Sequence, residues 1–158
     1  MGDRPDVEAL IAKGDQRREI GAIALTDQAG SSAYFLLDVV SYANQAKRNV
    51  LDVDAALIER HGAVSLEVAS AMAEGVLAKV SADLAVAITG VAGPDGGTDD
   101  KPVGTVCFAL ARRCEKTVAE RRQLFGDRER VRLLSAYAAL SLIAQAVGPL
   151  TKPAGVLP

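Results

Sequence analysis

Residues 30–47 (GSSAYFLLDVVSYANQAK) hold a serine pair, Ser31 and Ser32, followed by Tyr42 and Lys47. A serine hydroxyl is a weak nucleophile until a base removes its proton. A lysine serves as that base when desolvation lowers its pKa toward neutrality, and a phenol can relay the proton or hold the amine in place. A serine amidase without a histidine needs such a set. The only histidine here, His61, precedes a glycine and has no neighbouring carboxylate or cysteine, which fits a helix C-terminal partner rather than a catalyst. The same residues also fit a plain reading: a Ser-Ser turn, a packed Tyr42 and a solvated Lys47. Spacing alone is a weak signal. For the groups to meet, the turn before the apolar run must fold back, or a neighbouring chain must complete the site.

A second candidate is the loop at residues 90–98 (GVAGPDGGT), which follows an apolar run. Gly90, Gly93, Gly96 and Gly97 let backbone N–H groups converge on a phosphate or carboxylate without Cβ obstruction. Asp95, Asp99 and Asp100 oppose an anion unless they point outward, and a simple connection between strands is the alternative. The spacing is neither a Walker loop nor a dinucleotide fingerprint. Arg128, after Gly126-Asp127, can grip an anion bidentately or lie on the surface, while Asp127 reads as an N-cap. No His/Cys/Asp/Glu cluster has metal-ligand spacing. Cys107 and Cys114 are too few for a disulfide framework, and Cys107 lies in an apolar run as a buried thiol.

These groups need a scaffold. With 158 residues the chain fits one domain, residues 1–158 with a core at about 7–148 and loose Pro/Gly-bearing ends. Hydrophobic residues make up 49% and aromatics 4%, so the core must be built from Ala, Val, Leu and Ile. A net charge of -2 gives no reason to expect nucleic acid or an anionic membrane as partner. The N-terminus has no signal-peptide pattern, and no run of 18 apolar residues occurs; a reducing, cytoplasmic setting is expected.

Residues 7–13 read as a short helix, and residues 20–26 as helix or strand with Ala and Leu favouring helix. Residues 35–42 read as a strand apolar on both faces apart from Asp38, as in a covered sheet. Asn44 reads as the N-cap of a short helix, placing Lys47 at its third position. Asp54 caps a second helix that stops at Gly62, and Ser65 a third over residues 66–80. Residues 84–89, 103–111 and 117–125 read as strands, and Asp127 caps a last helix that ends at Gly148. Strands alternating with helices imply an α/β sandwich.

Five segments in order, LTDQAGSSAYF, VVSYANQAKRNVL, IERHGAVSLEVASAMAEG, ADLAVAITGVAGPDGGTDDKPVGTV and FGDRERVR, resemble the CinA C-terminal domain family, which includes stand-alone nicotinamide-nucleotide amidases. The resemblance covers about residues 22 to 145. It implies a single-domain three-layer α/β/α sandwich, a homodimer or higher homo-oligomer, and no metal or cofactor. The implied activity is hydrolysis of the carboxamide of nicotinamide mononucleotide to nicotinic acid mononucleotide and ammonia. Carried over, the catalytic set falls on Ser32 (nucleophile), Tyr42 (relay) and Lys47 (base). Ser31, Asn44, Thr89, Gly90, Gly93, Gly96, Gly97, Thr98 and Arg128 become substrate-binding positions, with loop amides or Ser31 at the oxyanion. The chain departs from the family at one place. The motif A-E-S-C-T-G-G usually precedes L-T-D, and counting back without gaps it falls on residues 13–19, here KGDQRRE. Arg18 and Glu19 cannot follow a close backbone path that two glycines permit. The alternative expectation is therefore a catalytically impaired member that keeps the fold as a nucleotide-binding or protein-interaction module.

Overall fold

The computed structural model describes residues 11–13, 25–26 and 29–148. Five strands form one sheet: β1 (Ile11–Lys13), β2 (Val39–Val40), β3 (Leu84–Gly90), β4 (Thr105–Arg112) and β5 (Val118–Gln123), in the order β2-β1-β3-β4-β5. β1 pairs in parallel with both β2 and β3, while β3, β4 and β5 are antiparallel. Helices α1 (Asn44–Leu51), α2 (Ala55–His61) and α3 (Leu66–Lys79) follow β2, and α4 (Arg128–Val147) follows β5.

The apolar run of β3 is explained by its two covered faces. Ala85 and Ala87 of β3, with Cys107, Ala109 and Ala111 of β4, pack against Val68, Ala69, Met72, Ala73 and Val76 of α3, with Leu51, Val53 and Ile58 beside them. The alternate residues Leu84, Val86, Ile88, Val106 and Phe108 pack against Val131, Ala138, Ala139 and Ile143 of α4. Period-2 alternation thus sends small side chains to one face and larger ones to the other, and both are buried. This is the three-layer α/β/α sandwich expected. Although α4 is long and apolar enough by length and hydropathy to cross a membrane, its apolar stripe is used on the sheet.

The helix starts follow their caps. Asp54 accepts from the Ala56 N–H at 2.9 Å, Ser65 from Val68 at 3.2 Å and Asp127 from Arg130 at 2.8 Å. Gly75 lets α1 and α3 meet, because a Cβ there would lie 1.9 Å from the Leu51 carbonyl oxygen.

Several expectations are corrected. Residues 11–13 are a strand, not the end of a helix: the slot between β2 and β3 is filled in parallel by this segment, so pairing overrides local propensity. Residues 35–42 yield only the two-residue strand β2 at the sheet edge, with Val40 exposed, instead of a long covered strand. The cap of α1 is Ala43, which offers no side-chain bond. Asn44 is the first helical residue, so Lys47 stands fourth. α3 ends at Lys79, one residue early.

Candidate active site

A cavity of about 240 Å³ opens at the carboxyl ends of β2 and β3. That end of parallel strands is where α/β sheets gather their functional loops. Tyr42 and the first turn of α1 form one wall, Thr89 and Gly90 at the end of β3 another, and the first two turns of α4 a third. Ala63, Val64, Ile88, Ala92, Val106 and Val131 supply the apolar lining.

Lys47 is the most constrained polar group there. It is 5% exposed, and its Nζ donates to the Ser41 carbonyl at 2.7 Å and the Tyr42 carbonyl at 3.3 Å. Both acceptors precede α1, so the side chain folds back over the turn that launches its own helix. Burial lowers its pKa from the ordinary 10.5, because the charged form loses hydration. A neutral amine has two N–H groups. In the neutral form two carbonyls would occupy both and leave the lone pair as the remaining site, the arrangement a general base requires.

Cations dominate the opposite wall. Arg128, half-buried, lines the cavity and donates through Nη1 to the Gly93 carbonyl at 2.8 Å. Arg132, 8% exposed, lines it one helical turn further on. Among the described residues that line the cavity there is no Asp or Glu. The described lining is therefore cationic in its charged side chains, a composition that suits an anionic group. Two hydroxyls also reach it. Thr89 donates to the Ala63 carbonyl at 2.8 Å, and Ser135 donates to the Val131 carbonyl at 2.7 Å.

Of the residues singled out from sequence, the cavity gathers Tyr42, Asn44, Lys47, Thr89, Gly90 and Arg128. It does not gather the serine pair. Ser31 and Ser32 form a single 3-10 turn with Ala33 that pins Tyr34 and Phe35 through the Ser31 carbonyl, and Ser32 is exposed. Neither serine lines the cavity. Tyr42 stands at the mouth, 60% exposed, and its contact with Lys47 runs through its backbone carbonyl. Of the loop at residues 90–98, Gly90 and Ala92 reach the lining. Gly93 offers its carbonyl to Arg128, and Gly96 and Gly97 lie outside the lining. Thr98 is tied into a turn with Lys101, its hydroxyl accepting the Lys101 N–H at 3.1 Å. Residues 14–19 of the altered KGDQRRE segment lie outside the described residues. Arg132 and Ser135 join the site without standing out in the sequence by type. The signal was helical period: they stand four and seven residues after Arg128, on one face of α4.

Cys107 is buried, and burial raises its thiol pKa, which suits an inert core residue. His61 stands 3.4 Å from Glu67 at the end of α2, away from the cavity lining.

The model for the CinA C-terminal domain matches residues 20–147. A CinA-like protein of Mycolicibacterium vanbaalenii is 53% identical over 126 residues, covering 80% of this chain and 30% of that protein. A CinA-like protein of Geobacter sulfurreducens is 53% identical over 116 residues, 73% of this chain and 28% of its own length. The chain thus spans less than a third of the curated relatives it matches. Among solved structures, the competence/damage inducible protein CihA from Agrobacterium tumefaciens superposes with a TM-score of 0.83 at 36% identity, over 90% of this chain and 86% of that one. The competence damage-inducible protein A (ComA) from Klebsiella pneumoniae gives a TM-score of 0.81 at 34% identity, over 92% and 89%.

Proposed function

Because the chain belongs to the CinA C-terminal domain family, we propose that it is an amidohydrolase that deamidates nicotinamide mononucleotide to nicotinic acid mononucleotide and ammonia. One observation carries this reading. A single cavity holds a buried, two-carbonyl-bonded Lys47 amine together with Arg128 and Arg132, and no carboxylate is among its described lining residues. The cations suit the nucleotide phosphate, the apolar wall suits the pyridine ring, and the amine suits proton transfer at the carboxamide.

In this reading the nucleophile is water rather than Ser32, whose exposed hydroxyl is outside the cavity lining. The water oxygen attacks the carboxamide carbon while the Lys47 lone pair takes its proton. The tetrahedral adduct then collapses, the C–N bond breaks, and the leaving nitrogen takes the proton back from Lys47. The products are the acid and ammonia. Tyr42 at the mouth holds Lys47 through its backbone carbonyl.

The placement of Ser32 also favours a second reading, in which the domain binds the nucleotide without turning it over. Ammonia release from nicotinamide mononucleotide by the purified chain, beside calorimetric binding, separates the two. Release that disappears in Lys47→Ala and survives in Ser32→Ala supports hydrolysis by the water route. Binding without release establishes the second reading, and neither binding nor release sinks both.

A further inference from the structure

We infer that Ser135 is a specificity-determining residue that reads the carboxamide N–H of the ligand and so distinguishes the amide from the acid. The inference rests on the nucleotide reading above and adds a residue to it. A carbonyl oxygen has no hydrogen to give, so the 2.7 Å contact between Ser135 Oγ and the Val131 carbonyl fixes the hydroxyl as donor in that bond. With its proton committed inside the helix, Ser135 presents only lone pairs to the cavity it lines. It can accept from an N–H or O–H, and it cannot donate to a carboxylate. The other donor-capable groups on this helix face are the guanidiniums of Arg128 and Arg132, which are acceptor-free. Ser135 is therefore the group on α4 suited to a hydrogen-bond donor on the ligand.

Its position supports the amide rather than another donor. Arg128, Arg132 and Ser135 stand at i, i+4 and i+7 on α4, so they form one stripe along the helix. Arg128 is half-buried, whereas Arg132 is 8% and Ser135 is 6% exposed, so the stripe runs from the mouth into the interior. Seven residues span about 10 Å along a helix axis. A nucleotide with its phosphate at Arg128, where the helix N-terminus adds positive potential, extends its far end to the depth of Ser135. In a nicotinamide nucleotide the far end is the carboxamide.

The test compares calorimetric affinities for nicotinamide mononucleotide and nicotinic acid mononucleotide in the wild-type chain and in Ser135→Ala, a substitution that a helix interior accepts. Losing one hydrogen bond to a neutral group should weaken amide binding about three- to tenfold. Binding of the acid should stay the same or tighten. Equal weakening of both ligands would assign Ser135 to a shared part of the nucleotide and overturn the proposal, as would unchanged affinity for the amide. If the wild-type chain binds neither ligand, the nucleotide reading itself fails and takes this one with it. Arg128→Gln marks the difference between the two, because it should weaken both nucleotides alike through their common phosphate.

Discussion

The serine turn Ser31–Ala33 and the turn that leads from β2 into α1 lie in one short stretch of sequence and end in opposite environments. On paper both offer reactive groups. In the fold, Ser32 faces solvent on a 3-10 turn, while Lys47 is buried under its own backbone, held by two carbonyls. The lesson is that burial, more than spacing, separates the two groups chemically. A hydroxyl in water stays a poor nucleophile, but an amine stripped of water becomes a usable base.

The sharpest way to break this comparison is to remove one group from each turn. Lys47→Ala should reduce deamidation by roughly 10²–10⁴-fold, the usual worth of a positioned base. Ser32→Ala should change it by less than about threefold. A collapse in Ser32→Ala with full activity in Lys47→Ala would reverse the assignment. Removing Arg132 comes next in size. Arg132→Gln should weaken nucleotide binding by about 10- to 100-fold, the range of a lost charge-assisted bond. Added salt should weaken the wild-type complex only modestly, because a buried charge is poorly screened.

The pH dependence sharpens the same contrast. Lys47 must be neutral to accept a proton, and burial lowers its pKa below 10.5. The rate therefore rises with pH through the lowered pKa, and its acid limb lies below 10.5. The sign for stability agrees. In the native state the group holds fewer protons than in the unfolded chain between the two pKa values, so its contribution to stability grows as pH rises through that window. A pH–rate profile with its limb at or above 10.5 would mean that Lys47 is solvated in solution, against the burial that motivates the proposal.

Much of the fold was legible because its cues are local. The apolar run of β3, the caps Asp54, Ser65 and Asp127, and the stop at Gly62 each act within a few residues. What misled was non-local. Residues 11–13 become a strand because β2 and β3 flank the slot they fill, and residues 35–42 look covered but end on the sheet edge. The site divides in the same way. Tyr42, Lys47, Thr89 and Arg128 were readable as chemical types, whereas Arg132 and Ser135 carry only a helical spacing from Arg128, and the packing of α4 beside β3 is what turns that face toward the cavity.

The smallest predicted effect compares two helix starts that sequence treats alike. Asn44 and Asp127 are both good N-cap residues, yet only Asp127 caps: its carboxylate accepts from the Arg130 N–H at 2.8 Å, whereas α1 begins after Ala43 without a side-chain bond. Asp127→Ala should therefore lower unfolding stability by about 1 kcal/mol. Asn44→Ala should change it by less than about 0.5 kcal/mol, since alanine suits a helix better than asparagine and no cap is lost. Both are measured by denaturant unfolding at one pH. Asn44 lines the cavity, so its substitution should instead appear in ligand affinity. A stability loss at Asn44 equal to that at Asp127 would mean that α1 starts one residue later in solution, with Lys47 turned away from the carbonyls that now hold it.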